Sequence, residues 1–274
     1  MKKKVKISLK YIALILIICL FLLPIIYMLA NSFMSQSEVA RAYSQSAREF
    51  AQFKIIPNKF SMEQYYQAFL RHPKFLNMFW NSLIITIPVV ILQSIISIFA
   101  AYAFSKFNFW GKNKIFFIFT ILLIMPLQVT LVPNYIMLDS INLLNTYLAV
   151  ILPGACSAFG ICLLRQYMLY VPNDTMEAAK IYGANHMNVL FKIVVPQVKG
   201  GIAALVILTF IDSWNMVEQV IIYLDDNEKY PLSAAMSTIR ENDLGIIFAC
   251  GIIFTIPPLL IYLYNKKEFK SAAV

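Results

Sequence analysis

Charge is what this sequence has least of. Of its 274 residues only 14% are Asp, Glu, Lys or Arg, against about 25% in soluble domains, and that shortfall excludes an ordinary solvated enzyme. Histidine occurs twice, as His72 and His186, with no neighbours of the kind a metal or nucleophile site needs. The four cysteines, Cys19, Cys156, Cys162 and Cys250, sit in apolar runs without metal-ligand spacing, so they read as small packing residues and imply no disulfide. P-loops, glycine-rich phosphate cradles and internal repeats are missing. No catalytic residue, no metal site and no cofactor bound by this chain are assigned.

What is abundant is apolar: 60% of the residues are hydrophobic. Uncharged runs occupy 11–37, 75–105, 115–138, 140–164 and 244–265, and 200–224 is interrupted only by Asp212 and Glu218. Each exceeds the roughly 20 residues that cross a bilayer as helix. The expectation is an all-α polytopic membrane protein, one domain over 1–274, with spans at 11–33, 78–104, 115–138, 147–165, 200–224 and 244–264. Six helices leave no room for a soluble catalytic domain, so the energy source lies elsewhere. The basic N-terminal tail reads as the start of an uncleaved first span and not as a signal peptide.

The net charge of +9 is distributed by topology and does not mark a nucleic-acid surface. Placing both termini in the cytoplasm puts five Lys or Arg in the N-terminal tail, three at 106–114, four at 165–199 and three at 266–270, against eight in the external segments. Outside the spans, 35–74 is polar, with a short amphipathic helix expected at Met62–Arg71 whose Tyr65, Ala68 and Phe69 share a side. Inside them, polar residues are few. Gln128 lies between Pro126 and Pro133; it either lines a pathway or bonds to another helix. Thr209, Asp212, Asn215 and Glu218 recur every third residue, which places them on one helical stripe that drifts gradually round the fifth span. Acids within a span mark a watery pathway or else bond a partner subunit.

Between the fourth and fifth spans lies a charged, helix-competent island, 171–197. Asp174 with Glu177 is a capping-box-like pairing for a helix through Ala178, Ala179 and Ile181, which Gly183 ends. A second amphipathic turn, Met187–Val195, runs to Pro196, the expected stop. Glu177-Ala178-Ala179, Gly183 and Pro196 resemble the EAA loop of binding-protein-dependent ABC importer permeases. Asn81-Ser82-Leu83, the stretch Tyr102–Lys112, the Pro126-Gln128-Pro133 pattern and Trp214-Asn215 are similar to the carbohydrate permeases of the maltose-importer type. The chain departs from that pattern at Tyr182, where many relatives carry aspartate, and in its short NKKEFKSAAV ending.

The resemblance implies the ABC importer permease fold and a permease subunit moving a carbohydrate, an oligosaccharide in preference to a sugar phosphate, across a bacterial cytoplasmic membrane. Its implied partners are a second, non-identical permease, two ATPase subunits that bind the ATP and Mg, an extracellular solute-binding protein, the sugar and membrane lipid, with no nucleic acid. Glu177, Ala178, Ala179 and Gly183 would couple to the ATPase, while Gln128, Asp212, Trp214, Asn215 and Glu218 would line the solute pathway. The rival is an ion-coupled secondary transporter using Asp212 and Glu218.

Overall fold

The computed structural model describes residues 2–43, 56–71, 73–238 and 244–272, whose regular structure is helical throughout. In chain order the helices are α1 (Lys2–Ser32), α2 (Gln36–Tyr43), α3 (Glu63–Tyr66, prolonged by a π-turn over Gln67–Arg71), α4 (Lys74–Lys106), α5 (Lys112–Ile124), α6 (Leu127–Ser140), α7 (Tyr147–Ala155) and α8 (Ala158–Leu169). There follow α9 (Asn173–Ile181), α10 (His186–Val189, then a π-turn over Leu190–Val194), α11 (Val195–Gln197), α12 (Lys199–Trp214), α13 (Glu218–Tyr223), α14 (Leu232–Thr238) and α15 (Leu244–Ala272).

Among the described residues four spans are long and apolar enough to cross a membrane: Lys10–Ser32, Lys74–Lys106, Tyr147–Leu169 and Leu244–Phe269. Counting each of two bent pairs there as one span, α5 with α6 and the helical stretch His186–Gln197 with α12, brings the number to as many as six. The third expected span is therefore not a gently bent helix. α5 and α6 meet at 109°, because Pro126 forces Met125 into extended backbone (φ −66°, ψ 129°) and starts a new helix. The fifth also breaks. α12 ends at Trp214, and Asn215 (φ −90°, ψ 7°) turns its side-chain amide back onto the Ile211 carbonyl at 2.7 Å. Glu218 then opens α13, where an acid suits the helix N-terminus. In the fourth span Ser157 starts α8 by accepting the Phe159 amide at 3.3 Å.

The chain divides into two compact units. The first comprises Met1–Asn77 with Thr238–Ile256. In it α2 is tied to α1 through the Tyr27 and Tyr43 hydroxyls, which hydrogen-bond to each other, while Tyr43 also donates to Asn31 Oδ1 at 2.6 Å. Burial first, and then the Tyr27 hydroxyl, raises the Tyr43 phenol above its ordinary pKa. The helix expected at Met62–Arg71 is present, with Gln64, Gln67 and Ala68 on its buried side and Tyr65 and Phe69 half-buried.

The second unit comprises Met78–Ser237 with Pro257–Val274. Its helices come close together at Gly160, where any Cβ would sit 2.2 Å from Ser97 Oγ and 3.0 Å from Leu205 Cδ1, so α4, α8 and α12 meet at a residue without a side chain. One end is pinned by Asn81. Its amide donates to the Glu228 carbonyl at 2.6 Å and the Tyr230 carbonyl at 3.1 Å, and its oxygen accepts the Tyr147 hydroxyl at 2.8 Å. Next to it Ser82 Oγ accepts the Leu232 amide at 2.8 Å. The connection from α13 to α14 is thereby fastened to α4. Asn81→Leu, similar in size, would strand two carbonyls and a hydroxyl in a partly buried place at about 1–3 kcal/mol for each unmade bond. We expect a net loss of roughly 2–4 kcal/mol, read as a lowered thermal midpoint of the detergent-solubilised protein; an unchanged midpoint would show that the pin is dispensable.

Candidate coupling surface and polar translocation face

The 171–197 island folds as two short helices around a tight corner. α9 begins after Pro172, so Asp174 lies in the first turn, where its charge suits the helix dipole, and is not the cap. The corner is a Schellman motif: Gly183 donates to the Lys180 carbonyl at 2.9 Å and Ala184 to the Ala179 carbonyl at 3.0 Å, with Gly183 at φ +82°. Asn185 then caps α10 by accepting the Asn188 amide at 2.8 Å. Pro196 does not stop the second helix. The helical stretch runs unbroken from His186 through the π-turn to Gln197, one residue past Pro196, and the chain turns by 78° into α12 after Val198.

The loop has a buried base and an exposed crest. Val171, Met176, Val189, Leu190, Val194 and Val198 are buried in one cluster with Ala101 and Tyr102 of α4, Leu164 and Met168 of α8 and Leu205 of α12. Ala179 packs half-buried against the same cluster, whereas Glu177, Ala178 and Gly183 face outward. The crest is completed by two large apolar side chains, Ile181 at 85% and Tyr182 at 91% exposure.

Polar tethers reinforce the base. Lys106, at the end of α4, donates to the Val171 carbonyl at 2.5 Å and to Asn173 Oδ1 at 3.0 Å. Phe107 lays its ring 4.9 Å from that of His186, which gives this histidine a packing partner. Arg165 donates to the Phe104 carbonyl at 3.2 Å and rests its guanidinium 3.9 Å above the Phe116 ring. In the sequence Lys106 and Phe107 lie within the family-like stretch Tyr102–Lys112 and Arg165 counts as a charge, but none of the three is assigned to the loop. The signal available was the aromatic-basic run Phe104–Lys112 itself.

The polar residues of the spans are gathered only in part. Gln128 of α6 is exposed, and its amide meets both carboxylate oxygens of Glu218 on α13, at 3.2 and 3.3 Å. Asp212 and Asn215 are exposed as well. Thr209 is buried. The break after Trp214 means that Thr209, Asp212, Asn215 and Glu218 do not form one helical stripe. Trp214 is corrected too: it is 1% exposed, stacked on Phe210 at 5.4 Å and edge-on to Phe79 at 5.9 Å, so its ring presents no open face to a solute.

Residues 93–266 match the family described as Binding-protein-dependent transport system inner membrane component. The chain belongs to that family. Glu177, Ala178, Ala179 and Gly183 of the loop and Gln128, Asp212, Trp214, Asn215 and Glu218 of the spans all fall within the matched part of this inner membrane component. A probable ABC transporter permease protein of Pyrococcus horikoshii is 33% identical, over 80% of this chain and 81% of its own. The arabinooligosaccharides transport system permease protein AraQ of Bacillus subtilis is 27% identical over 92% of this chain and 88% of its own. The polygalacturonan/rhamnogalacturonan transport system permease protein YtcP of the same organism is 27% identical over 100% and 98%. Among solved structures, a bacterial ABC transporter involved in the import of the acidic polysaccharide alginate superposes with a TM-score of 0.83 at 22% identity, over 98% of each chain. That likeness establishes the fold of the importer permeases for this inner membrane component.

The corner makes a sharp prediction. Nothing lies within 4 Å of where a Gly183 Cβ would stand, so only the backbone conformation resists substitution. Gly183→Asn, a residue that tolerates the left-handed region, should keep the corner, whereas the β-branched Gly183→Val should strain it by about 1–3 kcal/mol. Amide exchange at Gly183 and Ala184 should speed up in the valine variant alone. Equal acceleration in both would contradict the backbone account.

Proposed function

We propose that this inner membrane component is one membrane half of an ATP-driven importer for a carbohydrate, an oligosaccharide in the first instance, in a bacterial cytoplasmic membrane. Its partners are a second, non-identical permease, two ATPase subunits that bind ATP and Mg, and an extracellular solute-binding protein. The observation that carries the reading is the 171–197 loop, whose crest of Glu177, Ala178 and Gly183 is free for a partner while its base is built into the ends of α4, α8 and α12. A crest joined in this way must follow whatever groove it is seated in, and it passes that motion to the helices. The exposed Ile181 and Tyr182 add apolar contact to the crest, and Ala179 holds it to its base.

The sugar assignment draws on the relatives, whose names specify arabinooligosaccharides and polygalacturonan or rhamnogalacturonan. Gln128, Asp212, Asn215 and Glu218 offer exposed amides and carboxylates suited to solute hydroxyls. Trp214 acts behind them by fixing where Asn215 stands. The ion-coupled alternative loses ground: Asp212 and Glu218 stand on separate helices, Glu218 is engaged by Gln128, and the family depends on binding proteins. The cytoplasmic placement of the loop and of both termini rests on the distribution of Lys and Arg.

The test uses the assembled transporter in vesicles. Glu177→Lys should reverse a charge at the seat and weaken ATPase copurification by about 1–2 kcal/mol, roughly tenfold, with loss of uptake and normal membrane insertion. Asn215→Leu should leave assembly and ATP hydrolysis in place while altering uptake rate or sugar preference. Full uptake in the first variant would overturn the coupling assignment, and unchanged uptake of every transported sugar in the second would remove Asn215 from the pathway.

A further inference from the structure

A cleft of about 360 Å³ opens between α5 and α8, and the coupling loop makes no use of it. Phe116, Thr120 and Leu123 line it from α5, and Phe159, Cys162 and Gln166 from α8. On α5 these residues recur at helical spacing along one face, and Lys112 begins the same face one turn earlier. On α8 the wall ends beside Arg165, whose guanidinium sits 3.9 Å above the lining residue Phe116. Both cations thus stand at the same end of an apolar slot. Each is steadied by a backbone carbonyl, Lys112 by Phe107 at 2.7 Å and Arg165, through Nε, by Phe104 at 3.2 Å. Among the described residues neither is paired with a carboxylate; the ion pairs there involve Lys199 with Glu268 and Lys229 with Asp226. The remaining guanidinium donors of Arg165 are therefore open to an anion.

A slot with apolar walls and two uncompensated cations at its mouth is complementary to a molecule with one negative head and a long hydrocarbon tail. No residue of α5 is fully buried, and its residues from Ile121 to Ile124 are exposed, so in a bilayer the slot is open to lipid. We infer that the cleft between α5 and α8 holds an acyl chain of an anionic phospholipid whose phosphate is gripped by Arg165 and Lys112. Basic pockets between membrane helices recognise anionic headgroups in this way, with the guanidinium forking onto phosphate oxygens and the ammonium adding a point charge. Lys106 and Phe107 join this end of α4 to the coupling loop, so the lipid belongs to the leaflet on the loop's side. Its assignment to the cytoplasmic leaflet rests on the proposed orientation, whereas the site itself does not.

The assembled transporter is reconstituted in vesicles of phosphatidylglycerol and phosphatidylcholine, with phosphatidylglycerol bearing a photoreactive acyl chain placed in one leaflet at a time. Adducts should concentrate on peptides covering 116–123 and 159–166, and unlabelled phosphatidylglycerol, but not phosphatidylcholine, should compete. Lys112→Gln and Arg165→Gln should each lower labelling about fivefold, the contribution of one basic residue near an anionic surface. Cys162→Trp should block the slot with both cations in place. Equal labelling by phosphatidylcholine would overturn the inference, as would retention of full labelling by the double glutamine variant. So would loss of the adduct to inorganic phosphate, which would mark a headgroup site without a tail, or the absence of any adduct on these peptides in the assembled transporter, which would mark the surface of the second permease. The wild-type competition decides the matter even if the variants fail to fold. Labelling only from the leaflet opposite the cytoplasm would support the lipid site and overturn the orientation alone.

Discussion

The burial of Leu190 and Val194 among Leu164, Met168 and Leu205 is the constraint on which the rest of the second unit depends. A loop between two membrane spans would ordinarily be the most mobile part of such a chain. Here its inner face, with Val198 just beyond it, contributes six buried apolar residues to a cluster shared with α4, α8 and α12, each worth about 1.5–3 kcal/mol on burial. That makes the loop an extension of the helix ends. The Schellman corner at Gly183 closes the backbone bonds that would otherwise need water, so the crest can be exposed without being loose.

The opposite end of the same unit is held by different physics. Asn81 and Ser82 use hydrogen bonds to carry the α13–α14 connection, where the chain has no regular partner for its carbonyls and amides. Between the two ends the helices are interrupted at Met125, Cys156 and Asn215. The exposed polar side chains Gln128, Asn215 and Glu218 all lie at or just beyond such breaks. A break frees backbone groups that α-helix would have consumed, and in a membrane such groups are tolerated where they meet protein or line a cavity. On the proposed function, the interruptions place polar chemistry at the depth where a solute passes, while α4 and the coupling loop stay rigid.

Much of this was legible in the amino-acid sequence, because membrane spans and caps are local signals. Runs without charge gave the spans, and Gly183 announced its left-handed turn. What was hidden depended on geometry that residue order does not carry. The 109° turn at Pro126 and the end of α12 at Trp214 split two apolar runs that look continuous. The alternation at positions 209, 212, 215 and 218 therefore promised a stripe that a broken helix cannot form. Trp214 read as a pathway-lining residue because tryptophan suits both a sugar face and a core, and its burial and stacking on Phe210 decide for the core. Lys106 and Arg165 looked like topology markers, yet each bonds a carbonyl more than sixty residues away.

The central claim is that the coupling loop and the ends of α4 and α8 move as one body. Spin labels at Asn188 on the exposed side of the loop and at Ser105 near the end of α4, in the assembled transporter, report that directly by pulsed electron-electron distance measurement with and without ATP. The account predicts one intrachain distance distribution, the same in both states, while a label at Asn188 changes its distance to the ATPase or to the second permease. A distribution between Asn188 and Ser105 that shifts or splits when ATP binds would contradict it.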